Sequence, residues 1–207
     1  WQAAFPDLQQ YSGYAWYRRT FELNDAWLAG EVLLHFGAVD YWCQVFVNGQ
    51  LVAEHEGGYM PIDVAIRAQA RVGQNELAVR VFDAAQSQIA IHRGGADATP
   101  KPRSSPPFDA ADVPHGKQEW YLNVGGIWQD VTLTAVPASY IGLLHVTPDI
   151  HTGQARVAAE LAGAAAAGTL RVTIADAAGN SWAGQAEVAA GQASAELTIA
   201  VERPQLW

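Results

Sequence analysis

At 207 residues the chain has length for one large domain or two small ones, and with 50% hydrophobic but only 16% charged residues it can bury a core, which excludes wholesale disorder. Twenty-one acidic against 12 basic residues leave a net charge of −9, which repels phosphate backbones and anionic lipid, so neither nucleic acid nor a membrane surface is an expected partner. No apolar run approaches the ~20 residues of a membrane-spanning helix, and a single cysteine, Cys43, rules out an internal disulfide.

The chain opens on Trp1 and holds its only methionine at Met60, so both ends read as cuts through a longer protein, and the compartment stays open with the cytoplasm favoured. From there the hydrophobic period is two rather than 3.6, which predicts strands over residues 15–23, 32–36, 41–48, 51–55, 76–82 and 127–136. In 41–48 apolar side chains fall on both alternating sets, as in a strand buried on both faces. Asn48-Gly49 follows at once, and both residues tolerate the positive φ of a type I′ turn, so 51–55 should return antiparallel. Leu77, Val79 and Val81 are expected inward, as are Ile127, Val131 and Leu133. Arg18-Arg19 are expected to engage acidic neighbours, with one turned to solvent.

Residues 84–117 do not read as strand: they hold five prolines and a basic cluster of His92, Arg93, Lys101 and Arg103. A stretch this long is either a functional loop or a mobile insertion. Near 137–140 the composition turns from aromatic to alanine-rich, and thinner strands are expected over 155–161, 170–174 and 195–201. A domain boundary is placed there, giving 1–138 and 139–207. The second part is short of the ~100 residues of an immunoglobulin-like unit. Short antiparallel strands joined by Gly and Pro turns make the fold class an all-β sandwich.

Chemical motifs are sparse. His55-Glu56 lacks the second histidine of a zinc-binding helix, and no glycine-rich phosphate loop or nucleophile elbow occurs. Cys43 lies mid-strand, where a thiol behaves as a small buried hydrophobe. No metal and no cofactor is expected, and no pair of acids is marked as a general acid with its partner. Gly57-Gly58 suits a tight backbone corner. Trp42 is expected in the core, and Trp128 could face a neighbouring domain.

Three stretches resemble a known family. They are Tyr11 through Trp16-Tyr17-Arg18-Arg19 to Phe21; Phe36-Gly37-Ala38-Val39-Asp40-Tyr41 through Asn48-Gly49 to His55-Glu56-Gly57-Gly58-Tyr59; and Gly116-Lys117-Gln118-Glu119-Trp120-Tyr121 leading into Gly125-Gly126-Ile127-Trp128-Gln129-Asp130-Val131. In this order they resemble the N-terminal sugar-binding domain of glycoside hydrolase family 2. The tail ending Pro204-Gln205-Leu206-Trp207 resembles that family's next module. The resemblance implies a jelly-roll (galactose-binding-like) antiparallel β-sandwich over 1–138, followed by a smaller, incomplete immunoglobulin-like β-sandwich.

It further implies a parent enzyme of β-galactosidase, β-glucuronidase or β-mannosidase type, a retaining glycosidase with two glutamates in a (β/α)8 barrel beyond Trp207. Neither glutamate maps onto this chain, so the 207 residues are expected to be non-catalytic and to scaffold the barrel. The candidates for a substrate-pocket or barrel contact are Lys117, Gln118, Glu119 and Trp120, which combine a cation, an amide, a carboxylate and an aromatic at the exit of the long loop, with Gln10 near the first strand. The expected partners are the barrel of the same parent chain and, weakly at most, carbohydrate; an oligomer is left open. The alternative is an independent carbohydrate-binding module with an aromatic platform for sugar.

Overall fold

Alternating side chains on short, turn-bounded segments bury one face of each strand, and the stable answer is to lay sheet on sheet. The computed structural model describes residues 5–8, 11, 13–83, 125–164 and 166–204. These residues are all-β apart from two single 3₁₀ turns, Pro6–Leu8 and Trp27–Ala29. They divide into two compact units, 1–28 with 32–135, and 29–31 with 136–207.

The first unit is an antiparallel sandwich of the jelly-roll kind. Its strands are β1 (Gly13–Leu23), β2 (Glu31–Phe36), β3 (Val39–Asp40), β4 (Trp42–Val47), β5 (Gln50–Glu56), β6 (Ile62–Ala65), β7 (Gly73–Asp83), β8 (Gly126–Ile127) and β9 (Val131–Val136). One sheet runs β1-β7-β4-β5, a second runs β6-β2-β9, and β3 pairs with β8. Val32, Leu34 and Phe36 of β2, Cys43, Val45 and Val47 of β4, and Val79 and Val81 of β7 form the buried core.

The expected hairpin is present: Asn48 (φ 50°) and Gly49 (φ 80°) turn β4 into β5, with Val47 opposite Gln50. At this end Asn75, wholly buried, closes a polar hub. Its Nδ2 donates to the carbonyls of Arg71 (2.8 Å) and Gly73 (2.9 Å), while its Oδ1 accepts from Arg71 N and Asn48 Nδ2, both at 2.9 Å. Asn48 then accepts from Glu76 N at 3.0 Å. The hub satisfies backbone groups that the turns leave without ladder partners.

Several expectations need correction. The 127–136 strand is two, β8 and β9, because Trp128–Asp130 leave the ladder; Ile127 and Leu133 pack on the core, but Val131 is exposed. The β4 strand is not buried on both faces: Gln44 and Phe46 are only half-buried on the side away from the core. Arg18 and Arg19 are both exposed, and neither forms an ion pair among the described residues.

The second unit contains β10 (Ser139–Asp149), β11 (Gln154–Gly163), β12 (Gly168–Ala175), β13 (Ser181–Val188) and β14 (Ser194–Ala200). They form an antiparallel β10-β11-β14 sheet and a β12-β13 hairpin. The core is thin because alanine supplies much of it: Ala159 and Ala195 with Leu170 and Val188. Gly184 lies where a Cβ would come within 2.6 Å of the Leu197 Cδ1 and 3.0 Å of Ile199, so a larger residue there would have to displace these side chains of β14.

The Asn75 hub generates a direct test. Asn75→Ala strands several buried polar partners and is expected to lower unfolding free energy by about 2 to 4 kcal/mol, read from urea denaturation. A loss below about 0.5 kcal/mol, the usual surface value, would contradict the hub's role.

Candidate functional site

One end of the first sandwich is closed by a corner in which β3, β8 and the exit of β5 converge. Asp40 pairs with Gly126, and Val39 with Ile127. Tyr41 N donates to Phe82 O (3.1 Å), and Gly57 N donates to Tyr41 O (2.8 Å). The Tyr41 hydroxyl donates to Glu56 Oε1 at 3.2 Å. The chain leaving β5 is thereby stitched to the segment that joins β3 to β4.

Two glycines make this possible. Gly57 has φ 122°, a conformation that side chains disfavour. Gly58 is buried directly against Asp40, where a Cβ would lie only 2.9 Å from the carboxyl carbon. Trp128 caps the arrangement: its indole Nε1 donates to Gly58 O at 2.8 Å, and its backbone N donates to Ala38 O at 3.4 Å. The Tyr59 ring meets Trp128 edge to face, with centroids 5.6 Å apart. Beyond this frame Tyr59 is 69%, Met60 66% and Trp128 36% exposed, a contiguous apolar patch on hydrogen-bonded backbone.

Beneath the patch lie two acids. Asp83, at the end of β7, is 1% exposed. Burial first, and the Asp83 carboxyl second, push the Asp40 pKa up to about 7. The Tyr17 hydroxyl is raised by burial and by Asp83, an effect opposed by the hydrogen bond it accepts from Ile127 N at 3.4 Å. Burial pushes the Cys43 thiol up to about 12, so it is protonated at neutral pH and no nucleophile. His55 Nε2 is buried without a hydrogen-bond partner among the described residues, close to Gly57. Among the described residues no three His, Cys, Asp or Glu side chains group as a metal requires.

The sequence-predicted site residues Gln10, Lys117, Gln118, Glu119 and Trp120 lie outside the described residues, as does the 84–117 stretch. Gly57-Gly58 form the tight corner expected of them, and Trp128 is partly exposed. Trp42 is buried, 2% exposed, yet on the outer face of its sheet, where the Arg80 guanidinium lies 5.3 Å from its ring centre. Asp40, Asp83 and Tyr59 were not singled out from sequence as site residues. The available signal was a lone carboxylate ending each of two apolar alternations, at Val39-Asp40 and Phe82-Asp83.

A family model described as "Glycosyl hydrolases family 2, sugar binding domain" matches residues 2–137. A β-glucuronidase of Paenibacillus borealis is 27% identical over 97% of this chain and 32% of its own length. The Homo sapiens β-glucuronidase is 30% identical over 69% of this chain and 22% of its own. Among solved structures, a β-glucuronidase from glycoside hydrolase family 2 superposes with TM-score 0.71 at 20% identity, covering 95% of this chain and 21% of that one. The Bifidobacterium dentium β-glucuronidase, complexed with coumarin-3-O-glucuronide, gives TM-score 0.67 at 24% identity, over 97% of this chain and 35% of that one. The chain thus spans about a third or less of the length of these relatives.

The raised Asp40 pKa carries a sign. A folded-state value near 7 against 3.8 unfolded means the fold binds the proton more tightly. Its contribution is complete below about pH 4 and is lost as pH rises through 7, with a ceiling of about 4 kcal/mol at ~1.4 kcal/mol per pKa unit. Asp40→Asn should therefore gain stability relative to wild type between pH 5 and pH 8, by on the order of 2 kcal/mol in paired urea titrations. A wild-type-to-variant difference that stays constant with pH would contradict it.

Proposed function

The chain belongs to glycoside hydrolase family 2, and on that premise we propose that it is the accessory N-terminal region of a retaining β-glycosidase. It acts as a scaffold for the catalytic barrel of the same parent protein. The substrate class is an O-glycoside of β-glucuronide or β-galactoside type, the activities for which its relatives are named. Retaining hydrolysis requires two carboxyls ~5 Å apart flanking the bond, one as nucleophile and one as acid/base. Those groups belong to the barrel in this reading.

The observation that carries the proposal is the corner. Tyr59, Met60 and Trp128 are exposed on a backbone fixed by Gly57, Gly58 and Asp40, which is the construction expected of a docking face: apolar area already held in its bound conformation. The chain re-enters the described residues at Gly125, next to the Gly126 that pairs with Asp40. In this reading the preceding Lys117, Gln118, Glu119 and Trp120 are lent to the rim of the barrel's pocket.

Two measurements test this. The 207-residue chain is expected to release no nitrophenol from nitrophenyl β-glucuronide or β-galactoside, while the parent protein does; turnover by the chain that one of its own point mutations abolishes would overturn the reading. In the parent protein, Glu119→Ala should reduce kcat/KM about tenfold if the carboxylate makes a charge-assisted bond to substrate. Unchanged kinetics with lowered thermal stability would reduce the segment to an interdomain strut.

A further inference from the structure

The outer face of the β1-β7-β4-β5 sheet carries side chains that the core does not use. Strand register places them in rows. Trp16 stands opposite Arg80, Arg80 opposite Gln44, and Gln44 opposite Glu54. The next row is Arg18, Ala78, Phe46 and Leu51. Trp16 leans diagonally across β7 onto Phe46, with ring centroids 5.7 Å apart and planes inclined by 37°. Ala78, small and buried between them, leaves a shallow floor. Trp16 remains 52% exposed and Leu51 53%, so an apolar strip crosses four strands, about 14 Å at the usual strand spacing.

Hydrogen-bonding groups lie within the same rows. Gln44 Nε2 donates to Glu54 Oε2 at 2.8 Å, which fixes both side chains beside Phe46. The Arg80 guanidinium is held 4.8 Å from the Tyr14 ring centre. We propose that this face binds a neutral glycan chain, with the flat faces of successive pyranose rings stacked on Trp16 and Phe46 and their hydroxyls bonded by Gln44, Glu54 and Arg18. A sugar ring has an apolar C–H face bordered by hydroxyls, so it needs an aromatic surface with donors and acceptors alongside. A protein-docking core, by contrast, is depleted of charged groups at its centre.

Charge selects among glycans. Glu22, Glu54, Glu56 and Glu76, exposed on the strands of this sheet, outnumber Arg18 and Arg80 on the same face, and the chain carries −9 overall, which disfavours polyuronates and sulfated polymers. The strip's length favours several linked rings over one, so single sugars bind weakly. The sugar class agrees with the family description matched by this unit. The site lies on a different surface from the Tyr59–Trp128 corner and needs no barrel.

The test is affinity electrophoresis of the 207-residue chain through gels containing hydroxyethylcellulose, xyloglucan or neutral galactan, with polygalacturonate as the polyanionic comparison. At least one neutral polymer should retard the wild type. Trp16→Ala should weaken that retardation tenfold or more, Trp16→Phe should retain most of it, and Trp128→Ala should leave it unchanged. Retardation by none of the three neutral polymers overturns the proposal, as does equal retardation by polygalacturonate or an unaffected Trp16→Ala. Concentration-dependent dimerisation lost in Trp16→Ala, without glycan retardation, would overturn it in favour of an interface between two copies. Loss of retardation in Trp128→Ala but not Trp16→Ala would move the sugar to the corner and overturn it too. None of these results depends on whether the parent protein hydrolyses a glycoside.

Discussion

The end of the first sandwich depends on one close approach, the backbone of Gly58 against the side chain of Asp40. No other residue fits at 58 without moving the acid, and the acid sits where burial and Asp83 both disfavour its charge. What holds the approach is backbone bonding on either side: Gly57 to Tyr41, Tyr41 to Phe82, and Asp40 in register with Gly126. Trp128 then bonds the Gly58 carbonyl, which lies outside any strand ladder. A stretch of chain with no regular structure is thereby fixed, and Tyr59 and Met60 are presented outward.

A desolvated acid is costly to keep, and its presence has physical sense where it fixes a surface that must be in place before binding. The Asn75 hub does comparable work at the other end of the sandwich with neutral amides, so pH should bear on the corner and not on the hub. Between them the four-stranded sheet has an aliphatic inner face and an outer face that mixes rings, amides and charges. One alternation of side chains along β4 sends Cys43, Val45 and Val47 inward and Trp42, Gln44 and Phe46 outward, and so serves both purposes.

Much of the sandwich was legible because period-two alternation and the Asn48-Gly49 turn are local signals. The hairpin and the inward set of β7 follow from neighbouring residues alone. The break between β8 and β9 was not legible, since Trp128-Gln129-Asp130 continue a plausible alternation, and what distinguishes them is a bond from the Trp128 indole to Gly58, 70 residues away in sequence. Val131 likewise reads as core from its alternation yet is exposed. β6 was missed because Ile62–Ala65 is short, and β10 because its residues straddle the composition change that marked a boundary. The outer face of β4 reads as core because Trp42 and Phe46 are apolar; Trp42 is indeed buried, but Phe46 is only half-buried, and only its contact with Trp16 across β7 reveals it as part of a surface. Of the site residues proposed from sequence, Lys117, Gln118, Glu119 and Trp120 follow a stretch without alternation and Gln10 precedes the first strand, so the resemblance and the mix of side-chain chemistry carried them rather than any periodic signal.

The corner's role as a docking face is tested most directly by amide hydrogen exchange across residues 56–60 and 126–130, in the 207-residue chain and in the parent protein that carries the barrel. Docking predicts that exchange at both stretches slows by about tenfold or more in the parent protein, as burial removes local opening. Equal exchange in the two proteins at both stretches would show the corner to be free surface and would contradict the scaffold reading.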